Sequence, residues 1–271
     1  MRTKILALLS IATLLAACTP TPAQVQAQKE KDPQYQYERA VVCMQYGIPD
    51  EAFKYLNQAL ALDPGHYLSQ NLLGLAHMIK GNLGEAIKAF RACIALAPAN
   101  FSEVYNNLGT ALQESNQAGD AEAAFKKAFA IDQNYNASYN LAKIYFEQNK
   151  LEPALEAVRS SLQKYDRSLL AWNLEGLILE NQERYDDAVA CFLQALKIVP
   201  AEPNVSYNLA SAYYRGGQIE RAKEILEKTR IALEKTPPLR AQGQGQNQGG
   251  QTNEEVRKRI LELLKKIAEK K

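Results

Sequence analysis

Small and apolar residues recur at helical spacing along most of this sequence, and residues 169–202 show the pattern most fully. Their regularly spaced positions are Trp172, Gly176 and Leu179 in a first segment, and Ala188, Phe192, Ala195 and Ile198 in a second, before Pro200. Spacings of three and four residues predict two helices, and the proline predicts the end of the second. Gly176 and Ala188 leave room where the two backbones approach, and the large rings beside them fill the remaining space. The segment therefore predicts a helical hairpin.

The two small positions of this hairpin recur, which predicts six copies of it over residues 32–236. The first-helix position holds Ala40, Gly74, Gly109, Ala142, Gly176 and Ala210, and the second-helix position holds Ala52, Ala86, Ala121, Ala154, Ala188 and Ala222. Both series advance in the same steps of 33 to 35 residues. Gly47, Gly81 and Gly217 fall between the two helices of three copies, as expected for glycine after a helix.

This pattern resembles the tetratricopeptide repeat (TPR), in which Trp, Leu-Gly, Tyr, Ala, Phe, Ala and Pro recur over about thirty-four residues. The resemblance implies an all-α fold, which is a right-handed TPR solenoid of six helix-turn-helix repeats. A C-terminal helix follows these repeats. The first copy departs from the pattern because Arg39 and Cys43 occupy positions that are usually apolar or aromatic. Terminal repeats of a solenoid lack one neighbour and are often atypical.

The N-terminal residues carry a different signal. Arg2 and Lys4 precede an apolar run over residues 5–17 that is too short to span a bilayer. A charged start followed by a short apolar run predicts a signal peptide at residues 1–17.

A lipid-attachment sequence follows this run. Leu-Ala-Ala-Cys at residues 15–18 resembles a bacterial lipobox, which implies a lipoprotein carrying palmitate or similar chains on Cys18. The alternative is a cleaved soluble precursor with a chance cysteine. Thr19 rather than Asp comes next, and the sorting rule of enteric bacteria then implies the outer membrane, with the protein facing the periplasm. Residues 18–31 lack an apolar stripe, which predicts a flexible tether between the lipid and the repeats.

The C-terminal residues predict a linker and one more helix. Residues 237–251 are rich in Gly and Gln and cannot form a core. Residues 252–271 begin with a capping box of Thr252 and Glu255, and their apolar stripe comprises Val256, Ile260, Leu263, Leu264 and Ile267. This amphipathic helix either covers the exposed end of the sixth repeat or binds a partner protein or a membrane surface.

Composition limits the classes of partner that the chain can bind. The chain has 32 basic and 30 acidic residues, and removal of residues 1–17 takes away Arg2 and Lys4 and no acid. The resulting neutral chain argues against nucleic acid, which requires a basic surface. Cys43, Cys93 and Cys191 lie in separate repeats, so buried free thiols are expected, with a Cys43–Cys93 disulfide as the alternative in an oxidising periplasm.

Motifs for catalysis are lacking in the sequence. Neither His66 nor His77 belongs to an HExxH motif or a Ser/His/Asp grouping, and no CxxC is present. No glycine-rich loop joins a strand to a helix, which argues against a phosphate site. We therefore predict no catalytic residue, cofactor, metal or small-molecule substrate, and ordinary structural or surface roles for both histidines.

Function is expected on the concave surface that the first helices of stacked repeats form. Helical spacing predicts a protein-binding groove of Tyr37, Val41, Met44, Leu68, Asn71, Leu75, Met78, Asn106, Tyr139, Lys143, Asn173 and Tyr207. Its apolar and Met side chains suit an adaptable apolar segment, and its asparagines could bond an extended peptide backbone. Alternatively, Met44, Leu75 and Met78 serve only to pack repeats together. Chaperone-docking TPR proteins hold a carboxylate with Lys and Arg at such positions, whereas Lys143 is the one base here.

The layout of lipobox, tether and six repeats is similar to the type IV pilus biogenesis lipoproteins that escort the outer-membrane secretin. The resemblance implies a lipid-anchored scaffold that binds envelope proteins through its groove and assists assembly of an envelope complex. An accessory regulator of a peptidoglycan synthase or hydrolase is the alternative. An enzyme would need a catalytic domain that no stretch of this sequence can accommodate.

Overall fold

The computed structural model describes residues 22–235 and 252–269. The predicted signal peptide, Cys18 and the linker at residues 237–251 lie outside the described residues. The helices are α1 (Pro22–Lys29), α2 (Pro33–Gln45), α3 (Pro49–Leu62), α4 (Tyr67–Ile79), α5 (Leu83–Leu96), α6 (Ser102–Glu114), α7 (Ala118–Asp132), α8 (Tyr135–Glu147), α9 (Leu151–Lys164), α10 (Leu169–Asn181), α11 (Tyr185–Ile198), α12 (Pro203–Arg215), α13 (Ile219–Lys235) and α14 (Asn253–Glu269). Regular structure in these ranges is entirely helical, so the predicted all-α class is confirmed.

Contacts divide the chain into two compact units, one ending at Ala124 and the other beginning at Phe125. In the first unit, α2 pairs with α3 and α4 with α5, and α3 and α5 also pack against the helix that follows them. In the second unit, α8 pairs with α9, α10 with α11 and α12 with α13, again with contacts from each hairpin to the next. Helix α7 runs across the boundary. Each unit is thus a stack of hairpins in sequence order.

The turn inside each hairpin uses a residue in the left-handed backbone conformation, at one fixed repeat position. This residue is Gly47, Gly81, Asn116, Asn149, Glu183 or Gly217, with φ between 56° and 81°. Glycine adopts this conformation without cost, and asparagine tolerates it. Only Glu183 is a residue type that the conformation disfavours.

The small positions predicted from the sequence lie in the core. Every alanine of the two series is fully buried, and so are the large residues of the second helices, Leu56, Phe90, Phe125, Val158, Phe192 and Leu226. A methyl group placed on Gly74 would lie 2.4 Å from a ring carbon of Phe90. The corresponding distance from Gly176 to Phe192 is 2.5 Å. Glycine is therefore required where phenylalanine is the partner.

Residues 22–29 form helix α1, followed by a turn, where the sequence predicted a tether without regular structure. Helix α1 begins at Pro22, a favourable first position, and its Ala and Gln residues are good helix formers. The buried Gln36 side chain donates to the Glu30 carbonyl oxygen at 2.8 Å. Gln26 donates to the Tyr35 hydroxyl at 3.3 Å. Polar contacts with α2 thus replace the apolar stripe that the segment lacks.

Helix α14 covers the last repeat, as the first of the two interpretations predicted. Its buried stripe forms one apolar cluster with α12 and α13, made of Val256, Ile260, Leu263 and Ile267 with Ala210, Ala222, Leu226 and Leu233. The Glu255 backbone N–H donates to the Thr252 hydroxyl at 3.3 Å and caps the helix. Across the described parts of the chain, no helix combines the length and apolar character needed to cross a membrane.

Candidate protein-binding groove

The predicted groove residues lie on the first helices of the hairpins, which are α2, α4 and α6 in the first unit and α8, α10 and α12 in the second. All of them are partly exposed except Asn71, which is 6% exposed. Spacings of three and four residues place Tyr37, Val41 and Met44 on one stripe of α2. Equivalent stripes on α4 and α10 carry the residues at the same repeat positions.

The stripe of the first unit is mainly apolar. Val41, Met44, Leu75 and Met78 are each partly exposed, and α2 and α4 are in contact. Met44 also packs against the core cluster that contains Ala40 and Ala76. Part of the Met44 side chain therefore packs between repeats, as the alternative interpretation proposed. Leu75 and Met78 remain partly accessible on the next helix.

Asparagine pairs join neighbouring repeats beside this stripe, and the sequence analysis did not identify them. The Asn107 side-chain amide donates to Asn71 Oδ1 at 3.0 Å, and the Asn208 amide donates to Asn173 Oδ1 at 2.9 Å. Each of these carbonyl oxygens therefore already accepts one hydrogen bond. The partly exposed Asn173 can donate its amide N–H groups to the carbonyl oxygens of an extended peptide.

A signal for these pairs exists in the sequence. Asn107, Asn140 and Asn208 each stand directly before the leucine and the small residue of a first helix. Burial of an amide requires a partner at the neighbouring position of another helix. Recurrence of asparagine at this one position was the available clue.

In the second unit, the corresponding stripe is more polar. Glu180, 5% exposed, accepts from the Ser211 hydroxyl at 2.8 Å and from Arg215 Nη1 at 3.3 Å. Buried carboxylates are stable when paired in this way. Arg215 is paired with Glu180. Lys143 is therefore the basic residue that the predicted groove offers to a ligand in this unit. The arrangement does not reproduce a carboxylate clamp built from several bases.

Tyrosines of the predicted groove are held by aromatic and cationic neighbours. The Tyr37 ring lies 5.5 Å from the His66 ring, and burial, followed by the negative charge of Glu103, raises the pKa of Tyr37. Burial also raises the pKa of Tyr139. Both hydroxyls therefore stay protonated as hydrogen-bond donors.

Tyr207 lies beneath the C-terminal helix. The Arg259 guanidinium of α14 is 3.9 Å from the centre of the Tyr207 ring, a cation–π distance. The covering helix therefore reaches one of the predicted groove residues and limits access to its ring.

Cysteine and histidine have structural roles in the described residues. Cys43, Cys93 and Cys191 are free, so the Cys43–Cys93 disulfide does not form. Burial raises the pKa of Cys93 and of Cys191 to about 12, which disfavours the reactive thiolates. His66 caps α4 by accepting from the Ser69 backbone N–H at 3.3 Å. The described ranges contain no group of His, Cys, Asp and Glu residues that could hold a metal ion.

Known proteins show related sequences over the repeats. Protein O-mannosyl-transferase TMTC3 of Homo sapiens is 28% identical over 199 residues, which cover 71% of this chain and 22% of that protein. The chain spans less than half the length of the curated relatives it matches. The similarity therefore concerns a repeat region within longer proteins.

Solved structures share the fold. PilW, described as a widely conserved type IV pilus biogenesis factor, matches with a TM-score of 0.67 and 18% identity over 75% of this chain and 94% of that chain. YrrB, described as a TPR protein with an unusual peptide-binding site, matches with a TM-score of 0.57 and 17% identity over 66% of this chain and 93% of that chain. At these identities the likeness establishes the fold.

Family models match most of the repeat region. The model of the Tetratricopeptide repeat protein 21 C-terminal ARM domain matches residues 51–230, more than half of the chain. The Tetratricopeptide repeat model matches residues 33–66. The chain therefore belongs to the tetratricopeptide-repeat family.

Proposed function

We propose that this protein is a lipid-anchored TPR scaffold that faces the periplasm from the outer membrane. It binds envelope proteins in its groove and assists assembly of an envelope complex such as a type IV pilus or secretin system. The observation that carries the binding role is the partly exposed apolar stripe of the first unit, formed by Val41, Met44, Leu75 and Met78. The fold shared with PilW supports the choice of pilus assembly.

The chemistry of the stripe defines the ligand. Flexible Met side chains beside branched aliphatic ones accommodate apolar side chains of varied shape. In the second unit, the partly exposed Asn173 accepts from Asn208 and can donate its amide N–H groups to a backbone carbonyl of a ligand. The expected ligand is an apolar, partly extended segment of an envelope protein, bound without a carboxylate clamp.

Catalysis is not part of this proposal. TPR arrays present extended binding surfaces to other proteins. The likeness to the transferase TMTC3 covers 22% of that protein, so the activity in its name does not come with it. In this proposal, the protein acts by binding its partners and holding them together.

The test uses Leu75→Asp combined with Met78→Asp. Two carboxylates facing an apolar ligand are desolvated without partners on binding, so capture should be lost. Wild-type and variant chains are used to capture proteins from an envelope extract, and the partners are identified by mass spectrometry. The matched control is Leu62→Asp with Leu96→Asp, since these exposed leucines lie at the ends of the second helices α3 and α5.

Circular dichroism and thermal unfolding accompany the capture. If Leu75 and Met78 only pack repeats together, the groove variant loses helicity or melts earlier. A folded variant that retains the same pilus or secretin partners contradicts the groove. Recovery of peptidoglycan synthases or hydrolases in their place contradicts the pilus assignment and supports the alternative.

A further inference from the structure

Val42, on the outward side of α2, lies at a position that is buried in every later repeat. Val42 is 49% exposed, whereas its counterparts Ala76, Ala111, Ile144, Ile178 and Ala212 are 0% to 4% exposed. Tyr46, one turn further along the same side, is 78% exposed, and Ile48 in the turn is 49% exposed. We call Val42, Tyr46 and Ile48, with the neighbouring Tyr35 and Arg39, the end face.

Part of the end face is covered by its own repeat. Arg39 stacks on the Tyr55 ring at 4.0 Å from the ring centre and donates to the Tyr55 hydroxyl at 2.6 Å. The turn after α1 adds a polar contact, an ion pair of 3.8 Å between Arg39 and Glu30. Within the described residues, these contacts leave Val42, Tyr46 and Ile48 exposed. At the other end of the chain, by contrast, α14 covers the last repeat.

We infer that the end face rests against the lipid bilayer, an inference that depends on the proposed lipid anchor at Cys18. Three residues separate Cys18 from Pro22, and fully extended they span at most about 10 Å. Helix α1 has eight residues and is therefore about 12 Å long. Residues 30–32 add at most about 10 Å, so the anchor lies within roughly 32 Å of the start of α2. The first repeat is the part of the body held nearest the membrane.

The residue types of the end face suit the bilayer interface. Tyrosine places an apolar ring in the acyl boundary and its hydroxyl in the headgroup region, where aromatic residues are enriched. Val42 and Ile48 supply aliphatic area beside the Tyr46 ring. At the equivalent position of Tyr35, the later repeats carry the small buried residues Ser69, Val104, Ala137, Ala171 and Val205. The first repeat thus has aromatic bulk where a stacked neighbour would require small residues.

The experiment reconstitutes the full lipidated chain on vesicles of phosphatidylethanolamine and phosphatidylglycerol containing lipids with brominated acyl chains. The chain has one tryptophan, so Trp172→Phe provides the background for Tyr46→Trp. Bromine quenches only tryptophans that enter the acyl region. The matched control is Tyr165→Trp, which replaces a 45% exposed tyrosine of the second unit. We expect the emission of the tryptophan at position 46 to be quenched and shifted to the blue. The emission of the tryptophan at position 165 should show neither change.

Hydrogen exchange of the unsubstituted chain gives a second measurement that needs no fluorescent variant. Residues 42–48 should exchange more slowly in the lipidated chain on vesicles than in an unlipidated chain that begins at residue 19. Flotation of the vesicles on a density gradient shows whether the chain is anchored to them. If the chain floats but emission is equal at positions 46 and 165, the inference is overturned while the anchor stays intact. Failure to float overturns the anchor and this inference together. A concentration-dependent blue shift at position 46 without vesicles overturns it in favour of pairing between two copies.

Discussion

At the scale of single residues, each small residue on a first helix is matched in size to the large residue that follows it by sixteen positions on the second helix. Gly74 and Gly176 face Phe90 and Phe192, while Ala40, Ala142 and Ala210 precede Leu56, Val158 and Leu226 by the same interval. A methyl on the first helix is thus compensated by a smaller side chain on the second. The sequence pattern predicted both positions, but their pairing emerged only when the helix contact was known.

Gly74→Ala should lower the free energy of unfolding by about 1–3 kcal/mol, since the new methyl overpacks the Phe90 ring. Gly84→Ala is the matched control, because Gly84 lies near the start of α5 with open space around its Cα. There alanine should be neutral or stabilising by up to about 1 kcal/mol through helix propensity. Denaturant unfolding measures both.

The double variant Gly74→Ala with Phe90→Leu reproduces the pairing of Ala40 with Leu56. It should be more stable than the sum of the two single changes predicts, since the sites are in contact. Additive losses contradict size matching as the reason for glycine at position 74.

Glu183→Gly tests the left-handed turn position, where only three of the six residues were identified from glycine alone. Removal of the Cβ relieves a strain of about 1–2 kcal/mol, and the greater freedom of glycine in the unfolded chain offsets roughly half. We expect a net gain of about 0.5–1 kcal/mol in unfolding free energy. Asn149→Gly should gain less, because asparagine already tolerates this conformation. Equal gains at both positions contradict the argument.

At the scale of helices, sequence reasoning succeeded where an element carries its own apolar stripe. Helix α14 was predicted from Val256, Ile260, Leu263 and Ile267, and these residues form its buried side. Helix α1 has no such stripe, and its order depends on contacts between Gln26 and Tyr35 and between Glu30 and Gln36. Such contacts come from the placement of α2, so composition alone predicted a tether.

Ile260→Asp should detach α14 from the last repeat. Loss of a fully buried isoleucine alone costs about 2–5 kcal/mol, and the carboxylate adds an unpaired buried charge. The neighbouring Leu261→Asp is the control, because Leu261 is 51% exposed and its replacement should change stability by under about 0.5 kcal/mol.

Hydrogen exchange in α12 and α13 distinguishes detachment from simple fraying. Removal of the cover exposes Leu226 and Leu233, which pack in the same cluster, so protection of both helices should fall in Ile260→Asp. Unchanged protection in these helices contradicts a covering role for α14.

At the scale of the whole molecule, helical periodicity predicted which side chains share a stripe but not how neighbouring repeats modify it. Val41, Leu75 and Met78 are partly exposed on the helices where spacing placed them. The Asn71–Asn107 and Asn173–Asn208 pairs and the Arg259 contact with Tyr207 join residues 35 to 52 positions apart. Those contacts depend on the stacking of hairpins, for which a single helix pattern carries no information.

The proposed location of the molecule depends on one thiol. Cys18→Ser removes the nucleophile that would receive the diacylglyceryl group, so an uncut precursor without metabolically incorporated palmitate should accumulate. Each buried methylene contributes about 0.8 kcal/mol, and two or three acyl chains would hold the protein almost permanently. The substitution should therefore also release the protein from stable acyl anchoring in the outer membrane. Cys43→Ser is the matched control, since Cys43 is a free, partly exposed thiol of the first repeat and its loss should leave labelling unchanged. Palmitate incorporation into the Cys18→Ser chain contradicts the lipid anchor.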